Sequence, residues 1–201
     1  MARIFCDTYM FNFIEVYHAS CFLRLTNHGR VLFILKVITM QHLNIALQGI
    51  SLVGLKIRTN NRNETNQETS KIAKLIRQYR EHNVAAHLLE RKNPGTTYCV
   101  YTHYESDEQG DYTYFVGEEA STHASTHLDL SPLHIPGGVY AKLTTGPGSI
   151  PTLCINAWKH IWNMSETELG GKRNYHTDFE IYDARAANAS HAVFDIYVGL
   201  Q

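Results

Sequence analysis

Arg173-Asn-Tyr-His-Thr-Asp-Phe-Glu-Ile-Tyr-Asp183, continued by Ala192-Val-Phe-Asp-Ile-Tyr-Val-Gly-Leu-Gln201, decides how this chain is read. Two stretches rich in β-branched and aromatic residues flank the small, polar segment 184–190, the pattern of a β-hairpin. A matching hairpin stands earlier, in Tyr98-Cys-Val-Tyr-Thr-His-Tyr-Glu-Ser-Asp107 and Asp111-Tyr-Thr-Tyr-Phe-Val-Gly-Glu118 about the loop Glu108-Gln-Gly110. Phe115-Val116-Gly117 aligns with Tyr197-Val198-Gly199, and Thr102-His103-Tyr104-Glu105 with Thr177-Asp178-Phe179-Glu180. Glu180 falls where two such copies would meet.

Outward from the hairpins, each copy gains a strand and a helix. Ile50, Leu52, Val53, Leu55 and Ile57 mark a half-buried strand within 47–60. Ile72, Leu75, Ile76 and Tyr79 give one buried face to a helix over 67–82. In the second copy a strand over 135–143 precedes a helix over 151–163 that buries Ile155, Trp158, Ile161 and Trp162. Ser149 is expected as its N-cap, with Pro151 in the first turn. Both halves, about 50–118 and 135–201, therefore read β-α-β-β. The expected fold is α+β: a tandem pseudo-two-fold repeat with an antiparallel sheet, two main helices and a central ligand pocket. Segment 118–133 reads as the linker between copies. Residues 1–39 lack a clear period and read as an appended segment outside the domain, which would then span 40–201.

Composition narrows the function. The 201 residues are 44% hydrophobic and 18% charged with net charge −1, which is ordinary for a globular protein and offers no electrostatic grip on nucleic acid or anionic membrane. The four scattered cysteines make no zinc spacing and read as reduced thiols of a cytoplasmic protein. The run Val31-Leu-Phe-Ile-Leu35 is too short to span a bilayer. Twelve tyrosines, eight phenylalanines and two tryptophans suffice for a core and for the walls of a small-molecule site. Lys71, Lys74, Arg77 and Arg80 read as the wet face of the first helix. His123, His127 and His134 lie in a polar stretch with no carboxylate partner, so no metal site is expected. Thr145-Gly-Pro-Gly148 lacks the Lys-Ser/Thr of a phosphate loop, and no cofactor is implied.

Strand parity puts Asp178, Glu180 and Tyr182 on one sheet face and Phe179 and Ile181 on the other. A carboxylate turned inward needs compensation. Two sources remain open: a cationic ligand, or a structural ion pair with Arg173 or Lys142.

Five motifs stand in order along the chain: Val53-Gly-Leu-Lys-Ile-Arg-Thr-Asn60, Tyr98-x-x-Tyr101-x-x-Tyr104, Ile135-Pro-Gly-Gly-x-Tyr140, Trp158-Lys-x-Ile-Trp162 and Arg173-x-Tyr175-x-x-Asp178-Phe-Glu180-x-Tyr182. The set resembles the GyrI-like effector-binding domains, ligand modules of bacterial AraC-type transcription activators with a GyrI-like or SOUL-like fold. The resemblance covers about 50–201. It implies a stand-alone effector-binding protein, with Glu180 as counter-charge to a bulky, lipophilic, often cationic aromatic ligand. Trp158, Tyr101 and Tyr182 would form the aromatic wall. It further implies a link to transcription regulation through a separate regulator protein, without direct DNA contact. A small-molecule hydrolase of the same fold and a gyrase-inhibitor-like interaction module are the alternatives.

Overall fold

The computed structural model describes residues 41–66, 68–124 and 128–201. The expectations for 1–39, for His127 and for a helix start at Gln67 lie outside the described residues. In chain order the elements are β1 (Gln41–Leu47), β2 (Ile50–Thr59), α1 (Asn61–Glu64), α2 (Ile72–Glu81), β3 (Leu88–Leu89), β4 (Thr97–Thr102) and β5 (Tyr112–Glu119). They continue with β6 (Thr122–His123), β7 (Ser131–Ile135), β8 (Gly138–Thr144), α3 (Ile150–Trp162), α4 (Glu166–Leu169), β9 (Thr177–Tyr182) and β10 (Asp195–Gly199).

The duplicated unit is present as β2-α2-β4-β5 and β8-α3-β9-β10. Among the described residues eight strands form one sheet in the order β1-β8-β10-β9-β4-β5-β2-β7, with each neighbouring pair antiparallel. The order is symmetric about the β9·β4 pair, so the halves meet where Glu180 lies. Only one of the two sequence alignments between copies fits the register. Phe115 pairs with Val100, and Tyr197 with Phe179. Superposing Phe115 on Tyr197 therefore carries Val100 onto Phe179 and Tyr101 onto Glu180, because an antiparallel ladder fixes both strands together. Glu105 is not the mate of Glu180; it follows β4 in an exposed turn.

The sheet must curl. β1 and β2 are joined by residues 48–49, and β7 and β8 by 136–137, a reach of about 10 Å. In a flat sheet of this order each joined pair would stand roughly 28 Å apart. The two connections cross closely: a Cβ on Gly137 would lie 3.2 Å from the Leu47 carbonyl and 3.3 Å from the Gly49 nitrogen. The inner face encloses Leu52, Val100, Phe115, Ile135, Tyr140, Phe179 and Tyr197. The other face carries the helices and the larger core. Gly117 lets the sheet close around Phe115, since a Cβ there would sit 2.3 Å from the Val53 carbonyl and 2.7 Å from the Phe115 ring.

Two local expectations need correction, and a third holds in position only. Segment 118–133 is not simply a linker, because it holds β6 and the start of β7. Its Ser-Pro-Leu-His pattern reads poorly as a strand, yet β7 is an edge, where Pro132 is tolerated. α2 begins at Ile72: the buried Glu64 carboxylate accepts the N–H groups of Lys71 and Ile72, each at 3.1 Å, and so caps the helix from the end of α1. Ser149 occupies the N-cap position of α3 but its side chain makes no cap bond.

We propose that the domain begins near Met40. A protein starting there retains β1 and its pairing with β8. It is expected to melt at the temperature of the full chain in a thermal scan. A clear drop would assign residues 1–39 to the folded core.

Candidate functional site

β9 and β4 lie side by side in a register that opposes Cys99 to Glu180 and Tyr101 to Asp178. All four side chains consequently share the helix-facing side of the sheet. β4 and β5 oppose Tyr101 to Tyr114, and Tyr112 shares that parity. α3 lays Cys154 and Trp158, one turn apart, over the same patch.

Glu180 is 2% exposed. Its Oε1 accepts the indole Nε1–H of Trp158 at 2.6 Å, the hydroxyl of Tyr101 at 3.0 Å and the thiol of Cys154 at 3.3 Å. Its Oε2 accepts the hydroxyl of Tyr182 at 2.7 Å. The four residues expected at the site, Glu180, Trp158, Tyr101 and Tyr182, are thus brought into direct contact. Neither expected ion pair forms. Lys142 opposes Tyr197 on the inner face and pairs with Asp195 at 3.1 Å. Arg173 pairs with Asp178 at 2.6 Å. Among the described residues no cation pairs with Glu180; its charge is met by neutral donors.

Those donors keep their protons. Burial first, and the Glu180 charge second, push the hydroxyls of Tyr101 and Tyr182 and the thiol of Cys154 well above their ordinary values. Cys154 is therefore a hydrogen-bond donor here and not an activated thiolate. Around the carboxylate, Tyr101 stands edge-on to Trp158, Tyr114 and Tyr112, with ring centroids 5.1, 5.2 and 5.6 Å away.

Arg173 closes the next part of the wall. Its guanidinium lies 4.4 Å from the ring centroid of Tyr175, 5.7 Å from that of Tyr104 and 5.8 Å from that of Trp158. Asp178 is fully buried and also accepts the Tyr104 hydroxyl at 2.7 Å and the Gly199 N–H at 2.9 Å. Burial is the largest influence and works against the arginine's charge, but Asp178, Tyr104 and Tyr175 together outweigh it and hold the group above its ordinary value.

Tyr112, Tyr114, Cys154, Arg173 and Asp178 were absent from the expected site. Tyr112 and Tyr114 could have been found by pairing the first hairpin in register, which brings Tyr114 opposite Tyr101. Cys154 could have been found from its one-turn offset from Trp158. Trp162 also departs from expectation, being 40% exposed at the end of α3. Trp162→Phe should therefore cost little stability and leave Trp158 as the single indole. Saturating that variant with a ligand whose binding calorimetry has established is expected to quench or shift its emission, and unchanged emission would remove Trp158 from the ligand surface.

The site is thus a buried carboxylate under an aromatic wall, at the seam of a duplicated α+β sheet. The chain belongs to the Cass2 family, described as integron-associated effector binding protein, whose model matches residues 45–200. YobU of Bacillus subtilis (strain 168), provisionally described as a transcriptional regulator protein, is 29% identical over 148 residues, covering 74% of this chain and 90% of that protein. The integron cassette protein VCH_CASS2 of Vibrio cholerae shares the fold with a TM-score of 0.66 and 22% identity, over 83% of this chain and 100% of that one. SAV2435, solved bound to tetraphenylphosphonium, has a TM-score of 0.60 and 16% identity over 81% of this chain and 94% of that one. At such identities the two solved structures bear on the fold. Among the described residues no group of His, Cys, Asp and Glu side chains is arranged to hold a metal, and no helix is long and apolar enough to cross a membrane.

Proposed function

We propose that the chain binds a bulky, lipophilic organic cation with aromatic substituents, and that Glu180 supplies the counter-charge. The observation that carries this reading is the Glu180 carboxylate itself: 2% exposed, held by four neutral donors and lacking a cationic partner among the described residues. Neutral hydrogen bonds satisfy its lone pairs but leave its full charge in a poorly polarisable surrounding. Oε1 takes three donors and Oε2 one, so Oε2 is the oxygen a cation approaches. Because the carboxylate is covered, the ligand must part α3 from the sheet or turn Trp158 aside. The aromatic faces so uncovered would each add about 0.5–2 kcal/mol of cation–π attraction.

The effector-binding family and the tetraphenylphosphonium complex of SAV2435 support the same ligand class. The likeness to YobU supports a role in transcription regulation; a separate regulator protein as partner and a cytoplasmic location belong to the same proposal. Calorimetric titration with tetraphenylphosphonium and with neutral triphenylphosphine oxide tests the reading. The cation is expected to bind, and more tightly than the neutral compound. Equal affinity for both would overturn the counter-charge role.

A further inference from the structure

We propose that Arg173 sets the charge selectivity of the Glu180 site, neutralising Asp178 within the shared aromatic wall and leaving one uncompensated carboxylate, so that the site favours ligands of a single positive charge. This inference rests on the cation-binding reading above and adds to it the ligand's charge.

The argument starts from β9, where Asp178 and Glu180 are two residues apart and both face the helices. Both are buried, at 0% and 2% exposure. A patch with two buried carboxylates would favour a dication. Arg173 changes that balance. Its side chain is 9% exposed, and its Nη2 lies 2.6 Å from Asp178 Oδ2. It also belongs to the same wall, because one indole is shared. Trp158 gives its Nε1–H to Glu180 at 2.6 Å while the guanidinium lies 5.8 Å from its ring centroid. The second acid near the arginine, Glu108, is 3.7 Å from Nη1, accepts the Tyr175 hydroxyl at 2.6 Å and is 24% exposed, so it is better solvated than Asp178 and weighs less in the balance. The arginine Nε is buried without a hydrogen-bond partner. Charge and ring contact therefore hold the group in place more than complete hydrogen bonding does. With Asp178 neutralised, the balance at the wall is the single negative charge of Glu180. A second ligand charge would find the Arg173–Asp178 pair neutral and no second unpaired carboxylate, and adding or removing one unit charge about 10 Å away, at the effective dielectric of a protein interior, amounts to roughly a tenfold change in affinity.

The test is a ladder of charge. Tetraphenylphosphonium serves as monocation and p-xylylenebis(triphenylphosphonium) as dication, titrated into the wild type, Arg173→Met, Asp178→Asn and the double variant Arg173→Met/Asp178→Asn. Only the change in the ratio of the two dissociation constants counts, which removes the difference in ligand size. Arg173→Met should shift the ratio roughly tenfold toward the dication, and Asp178→Asn about as far toward the monocation. The double variant should return to the wild-type ratio within about threefold, although both affinities fall with the lost stacking. Should Arg173→Met fail to fold, the other two variants still decide, since they must differ from each other in the predicted direction. A ratio unmoved by Asp178→Asn, or moved equally in the double variant, overturns the inference while leaving the cation-binding reading intact. Failure of the wild type to bind either cation overturns both.

Discussion

Arg173→Met should destabilise the folded protein by about 3–5 kcal/mol, because it leaves the fully buried Asp178 without its cation. Methionine keeps most of the aliphatic stem, so packing against Tyr175 and Trp158 is largely retained. What is lost is the charge. Asp178 retains the Tyr104 hydroxyl and the Gly199 N–H, and these two neutral donors are expected to compensate only part of it. For a domain of this size the midpoint of thermal unfolding should fall by roughly 6–20 °C. Adding Asp178→Asn should recover most of the loss, since removing both buried charges together is often neutral. A drop of under about 1 kcal/mol for Arg173→Met alone would show that Asp178 is reached by solvent or by another cation, and would weaken the charge balance drawn around Glu180.

The doubled hairpins were legible because each carries its own alternation and turn residues, and the Val-Gly pairs of β5 and β10 lie at corresponding places in the sheet. Glu180, Trp158, Tyr101 and Tyr182 were legible from the resemblance of motifs, with parity supporting the two on β9. The parts that escaped depend on long-range pairing. Nothing local announces that β1 would leave its neighbour β2 and pair with β8, or that Ser131-Pro-Leu would continue the sheet beyond β2. The curl follows from those two exchanges and not from any one segment. The partner of Arg173 was equally hidden. Asp178 and Glu180 have the same parity, and only the folded loop before β9 delivers the guanidinium to the first and not to the second. Lys142, by contrast, could have been set aside earlier. Once β8 is paired with β10, its side chain points to the opposite face from Glu180.

Glu180→Gln is the substitution with the largest expected effect on binding. Affinity for tetraphenylphosphonium should weaken by about 1.5–3 kcal/mol, roughly ten- to a hundredfold, as the charge opposite the ligand is removed. Neutral triphenylphosphine oxide should lose little, having never used that charge. The fold should tolerate the change. The glutamine carbonyl can take the place of Oε1 and keep the bonds from Trp158, Tyr101 and Cys154. Its amide then faces Tyr182, whose hydroxyl can rotate from donor to acceptor. Stability should therefore stay within about 1 kcal/mol of the wild type. Glu180→Leu makes the contrast, since it strands the indole and both phenols and should cost about 2–5 kcal/mol. Measuring melting temperature and both affinities on the same preparation of Glu180→Gln separates two roles. A counter-charge predicts a selective loss of cation binding in a protein that still melts near the wild-type temperature. A scaffold predicts a lower melting temperature with cation and neutral compound weakened alike, and that outcome would move the ligand site away from Glu180.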